Sequence, residues 1–146
     1  MTQPFIWIGV HKIKEGKQAE LKRILREFPD FIADHEPRLL GFNLYLSEDE
    51  TRVAVVQIHP DAASFEFHMK VAGEHISRSY GYLEATESTW IFGAPSPAVL
   101  DMVDQFRRAA GQQETLNVLA EPLAGFTRLG DGEPSDLART GAKTAQ

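Results

Sequence analysis

The apolar positions of the chain change their period repeatedly, and each change marks an element. From Phe5 to Ile13, FIWIGVHKI alternates, with Ile6, Ile8 and Val10 on one side and Phe5, Trp7, Gly9 and His11 on the other. That two-residue period predicts a β-strand. After the turn KEGK, Leu21, Ile24, Leu25, Phe28, Phe31 and Ile32 recur at spacings of three and four, predicting an amphipathic helix that runs from Gln18 to the Glu36-Pro37 pair. Pro29 lies inside it and predicts a kink or break near Phe28, because proline has no N–H and clashes with the carbonyl four residues back. Alternation returns in LLGFNLYLS (39–47) and RVAVVQIH (52–59), and the acidic turn EDET between them leaves room only for an antiparallel hairpin. Pro60-Asp61 opens a second helix over 61–80, with Asp61 as its cap, Phe65, Met69, Ala72, Ile76 and Tyr80 at helical spacing, and Gly73 and Gly81 weakening its later turns. ESTWIFG (87–93) reads as a fourth strand.

The order strand, helix, strand, strand, helix, strand over residues 1–94 predicts an α+β fold, the split βαβ arrangement of a ferredoxin-like sandwich. Two helices cover one face of such a sheet. The other face also carries apolar residues, which predicts a homodimer whose sheets face each other around a chamber, a dimeric α+β barrel. Odd-numbered side chains of the first three strands are expected to line that chamber, and even-numbered ones to meet the helices. Beyond Gly93, the breaker cluster APSP precedes a further helix with Val99, Leu100, Val103 and Phe106 on one side, ending near Gly111. Residues 115–129 predict one or two short strands, limited by Pro122 to an edge or a bend. Residues 95–129 are therefore a C-terminal helix and strand extension, expected to pack on the sandwich or on the partner subunit. The stretch 130–146, with Leu137 as its one large apolar residue, is expected to be disordered.

Composition narrows the chemistry. A chain of 146 residues with 42% hydrophobic and 25% charged residues builds one globular core. The net charge of −6 offers no footprint for phosphates, so nucleic acid is not an expected partner. The absence of cysteine removes disulfides, thiolate nucleophiles and thiolate-held metals, and fits a reducing compartment. No run approaches the length of a spanning helix and no leader pattern opens the chain, so a cytoplasmic protein without membrane contact is expected.

Three segments, KIKEGKQAELKRIL, EPRLLGFNLYLSED and TRVAVVQIHPDAASFEFHMKVAGEHI, carry a resemblance. A glycine turn before the first helix (Gly16), a Glu-Pro leading into a glycine-containing strand (Glu36-Pro37 with Gly41), an acidic hairpin turn (Glu48-Asp49-Glu50) and a histidine pair on the second helix (His68 with His75) resemble the antibiotic biosynthesis monooxygenase-like superfamily of dimeric α+β barrels. The resemblance spans residues 5–93. It implies the fold and a cavity; members of the superfamily include cofactor-free oxygenases of aromatic substrates, quinol-oxidising, haem-degrading and lactone-isomerising proteins, so the reaction stays open. Many members have a tryptophan at the end of the third strand, where this chain has His59. Haem-degrading members also need an asparagine on the first strand and a histidine ligand near the position of Tyr80; here the first strand offers Gly9 and His11, which argues against haem degradation.

The candidate site residues follow from the expected chamber. His59 is the candidate base, since a histidine titrates near 6.5 and can take a phenolic proton. His11, Asn43, Tyr45 and Gln57 are candidates for binding substrate oxygens, and Trp7 and Trp90 for stacking on its ring. Together they suggest a cofactor-independent monooxygenase of a small hydrophobic, aromatic or quinol-like molecule. No cofactor and no metal are expected. His68 and His75 stand about 10.5 Å apart along a helix, so a metal site would need His11, His59 and a carboxylate to converge. Phosphate-binding and nucleophile-elbow patterns are missing from the sequence. The other reading is a non-catalytic dimer that binds a small molecule or only buries its sheet: His59 satisfies a helix terminus, Asn43, Tyr45 and Gln57 bond across the interface, and the tryptophans pack. An open pocket on which the polar groups converge separates the two.

Overall fold

A computed structural model describes residues 3–109 and 114–128 of the chain. The elements, in order, are β1 (Phe5–Ile13), α1 (Gln18–His35), β2 (Gly41–Leu46), β3 (Arg52–His59), α2 (Ala62–Tyr80), β4 (Leu83–Phe92), α3 (Pro97–Ala109) and β5 (Thr115–Leu119). The sheet order is β2-β3-β1-β4-β5. The first four strands are antiparallel to their neighbours and form the ferredoxin-like sandwich expected above. β5 joins parallel to β4, which makes the sheet mixed, and α3 is the crossover between them. The expected disordered stretch 130–146 lies outside the described residues.

The helices pack on one face of the sheet. Phe5 of β1, Phe65 of α2, Ile91 of β4 and Val99 and Val103 of α3 form one buried cluster, so the extension shares a core with the sandwich. Burying a side chain such as Phe65 stabilises the fold by roughly 1.5–3 kcal/mol. Phe28, Ile32, Leu39 and Ala72 join α1 to α2, and Ile13, Leu21 and Val53 close the opposite end. The Asp61 carboxylate accepts from Ser64 N–H at 3.0 Å and caps α2, as expected from the sequence.

Three expectations are corrected. The expected break at Pro29 does not occur: α1 is continuous through it, because buried Phe28 and Ile32 on either side hold the helix to the core and offset the lost hydrogen bond. β4 begins at Leu83, four residues before the expected start, because pairing with β1 extends to Ile13. The third correction concerns which side chains share a face. Odd-numbered residues of β1 and β3, including buried Phe5, Ile13, Val53, Gln57 and His59, face the helices. The hairpin loop places Leu46 opposite Val53, so even-numbered residues of β2 pair with odd-numbered residues of β3, and Phe42 stands opposite Gln57. Asn43 and Tyr45 are therefore on the uncovered face, with Ile6, Ile8, Ala54 and Val56. Both faces of β1 and β3 are apolar, so periodicity alone could not choose between them.

Candidate functional site

A cavity of about 330 Å³ lies between the sheet and the three helices. Its walls are largely apolar: Leu25 and Phe28 from α1, Phe42 and Leu44 from β2, Val55 from β3, Met69 and Ile76 from α2, and Phe106 from α3. Into this apolar space project Trp7, His11, Gln57, His68, Tyr80, Thr86, Thr89 and Glu114. A small apolar cavity with a few fixed polar groups is the usual form of a small-molecule site.

Of the residues expected from the sequence, Trp7, His11 and Gln57 line this cavity. Asn43, Tyr45 and Trp90 do not, and point to the opposite side of the sheet, where Trp90 stacks on Phe92 at 6.1 Å. His59 is fully buried and has both nitrogens occupied. Its Nε2–H donates to Gln57 Oε1 at 2.9 Å, and its Nδ1 accepts from the Ser64 hydroxyl at 2.7 Å. Burial, and next the nearby His68, push its pKa down to about 3, so it stays neutral. With no free nitrogen facing the cavity it cannot reach a substrate there. Its effect is indirect: it holds the Gln57 carbonyl, which leaves the Gln57 amide NH₂ as the end available to a ligand.

His68 lines the cavity as well. Its Nδ1–H donates to both oxygens of Glu36, at 3.0 and 2.9 Å, and both side chains are buried. A carboxylate can only accept, so the pair assigns the proton to Nδ1 and leaves Nε2 outside the pair. Among the described residues, Arg107 Nε is the only buried side-chain nitrogen or oxygen without a hydrogen-bond partner. The unpaired Nε2 of His68 is therefore open to the cavity that its ring lines. α2 supplies His68 one turn after Phe65, while Glu36 sits just beyond the end of α1, directly before Pro37. Neither was singled out as a site residue by the sequence, since 32 positions separate them; the only signal was that both belong to the motif set of the superfamily resemblance.

His11 occupies the other end. Its Nδ1 is 2.9 Å from the Thr86 hydroxyl, and burial lowers its pKa to about 4. A β-bulge makes this contact: Val10 pairs with Ser88, but His11 pairs with Thr86, so Glu87 is skipped. Glu87 instead meets Arg52 at 2.7 Å on the uncovered side. Tyr80 lies edge-on to His11, and burial followed by the charge of Glu114 pushes its phenol up to about 12. Glu114, just before β5, accepts from the Thr89 hydroxyl at 2.6 Å. No cluster of three metal-ligating side chains occurs among the described residues.

No protein-family profile and no curated protein matches the chain. Solved structures do. MupZ from Pseudomonas fluorescens is similar over 86% of this chain and 91% of its own, with 15% identity and a TM-score of 0.62. A candidate antibiotic biosynthesis monooxygenase from Nitrosomonas europaea matches 66% of this chain and 95% of its own, with 17% identity and a TM-score of 0.56. The fold is that of the antibiotic biosynthesis monooxygenase-like proteins. Rv0793 from Mycobacterium tuberculosis has it too, over 66% of this chain and 99% of its own, with 12% identity and a TM-score of 0.55. The likeness to MupZ covers more of the chain than β1 to β4 can supply, so it takes in part of the extension. At these identities the monooxygenase-like fold transfers and the reaction does not.

Proposed function

We propose that the chain is a cofactor-independent monooxygenase of a small aromatic or quinol-like molecule, bound in the cavity between sheet and helices. The observation that carries this reading is the buried Glu36–His68 pair, which presents an unpaired imidazole nitrogen to a largely apolar cavity. His68 Nε2 takes the proton of a ring hydroxyl or an activated ring CH₂, and Gln57 NH₂ donates to the oxyanion that results. The electron-rich anion reduces dioxygen directly. One oxygen atom replaces two ring hydrogens as a carbonyl, and the other leaves with those hydrogens as water.

The test is oxygen consumption with anthrone and a panel of hydroquinones. A His68→Asn variant, whose amide can still donate to Glu36, is expected to lose about 100-fold or more in kcat. Undiminished turnover in that variant removes His68 as the base, and an inert panel with a bound ligand favours the non-catalytic binding protein instead.

The same reading includes a homodimer formed through the uncovered sheet face. Ile6, Ile8, Ala54 and Val56 there are flanked by exposed Tyr45 and Trp90, an apolar surface that the chain's own helices leave open. After β5, Leu123 is 99% and Phe126 81% exposed, which suits contact with a second copy.

A further inference from the structure

Trp7, Gly9 and His11 point to the same side of β1, toward the cavity. Residues four apart on a strand are about 13 Å from each other at their backbones. Each ring nevertheless reaches the space over Gly9, where no side chain stands. A Cβ built on Gly9 would lie 3.0 Å from His11 Nε2 and 3.5 Å from Trp7 Nε1. Both rings lean inward over the glycine and are held from behind: Trp7 stacks on Phe65 at 4.5 Å, and Thr86 holds the far nitrogen of His11. Among the described residues neither Trp7 Nε1 nor His11 Nε2 has a protein partner, and neither is sealed off from the cavity. Two polar atoms fixed in an apolar site without partners lose hydrogen bonds that a ligand can restore.

We propose that Trp7 Nε1 and His11 Nε2 form a second polar station that binds an oxygen of the ligand, so that the ligand is a ring compound with an oxygen at each end. This deepens the reading of the cavity given above and rests on it. Glu114, fixed by Thr89 directly across from Gly9 and 3.6 Å from Arg107 Nε, lies at this end, and an uncharged hydroxyl or carbonyl oxygen matches the Trp7 N–H donor. Gly9 is the diagonal neighbour of Gln57 across the β1–β3 pair, a separation of about 7–8 Å. Oxygens at opposite ends of two fused rings match that spacing.

Calorimetric titration of the full chain with 2,6-dihydroxynaphthalene and with 2-naphthol, which differ by one hydroxyl, tests the station. The diol is expected to bind about 5- to 10-fold more tightly. Trp7→Phe removes the N–H and keeps the stacked ring; Gly9→Ala displaces the imidazole. Each is expected to bring the preference for the diol close to one. Equal affinity in the unaltered protein, or a preference that survives both substitutions, overturns the station and leaves the ring-compound reading intact. Failure of the unaltered protein to bind either compound overturns both.

Discussion

His59 and His11 have the same origin in the sequence, an odd position on an apolar strand, and opposite duties in the fold. One has both nitrogens spent on protein; the other keeps one for the cavity. Both carry pKa values lowered by burial, to about 3 and about 4, against about 6.5 in an unfolded chain. Below pH 6.5 the unfolded state therefore holds more protons than the native one. Stability is complete above that pH and declines as pH falls toward 4, by up to about 1.4 kcal/mol per pH unit for each histidine. Asp61, held low by Arg38, and Glu87, held low by Arg52, lose their contribution only further down. Urea titrations at pH 7, 6 and 5 measure the slope, and a His11→Asn protein is expected to lose about half of it; an unchanged slope contradicts the assignment. At this scale the sequence was a partial guide. It named Trp7, His11 and Gln57, but a hydrogen bond between Glu36 and His68 depends on the end of α1 meeting the side of α2, which no local pattern encodes.

Elements were legible where period and length agree. β1, α1, the β2–β3 hairpin and α2 could all be read from alternation, helical spacing and the Asp61 cap. The bulge in β4 could not, because LEATESTWIF contains no signal for the residue that is skipped. That irregularity decides the chemistry opposite His11: an unbroken register would put Glu87 there in place of Thr86. The end of β4 depends on a second backbone feature. Gly93 has φ +102°, and a Cβ on it would lie 2.7 Å from the Pro4 carbonyl oxygen. Gly93→Ala is expected to destabilise the protein by roughly 1–3 kcal/mol, combining unfavourable backbone with a steric clash. Thermal denaturation reads this directly, and an unshifted midpoint would show that the β4–α3 junction relaxes.

For the whole molecule, the topology followed from element order, since few arrangements accommodate a split βαβ and each helix needs an apolar face to cover. Which sheet face the helices would take did not follow, and the site residues divided accordingly. The proposed dimer makes its own prediction. Trp90→Glu, at a position already exposed in the single chain, is expected to convert a dimer to a monomer by light scattering with the fold intact by circular dichroism. A monomer before substitution, or a dimer after it, argues against that face. The sheet is one chain thick, with the cavity on one side and the proposed partner on the other. On the proposed reading, successive residues along β1 and β3 answer to different selective demands: a change at Gln57 would retune what is bound, a change at Val56 what is assembled. Specificity and quaternary state can diversify independently in such a protein, one alternate position at a time.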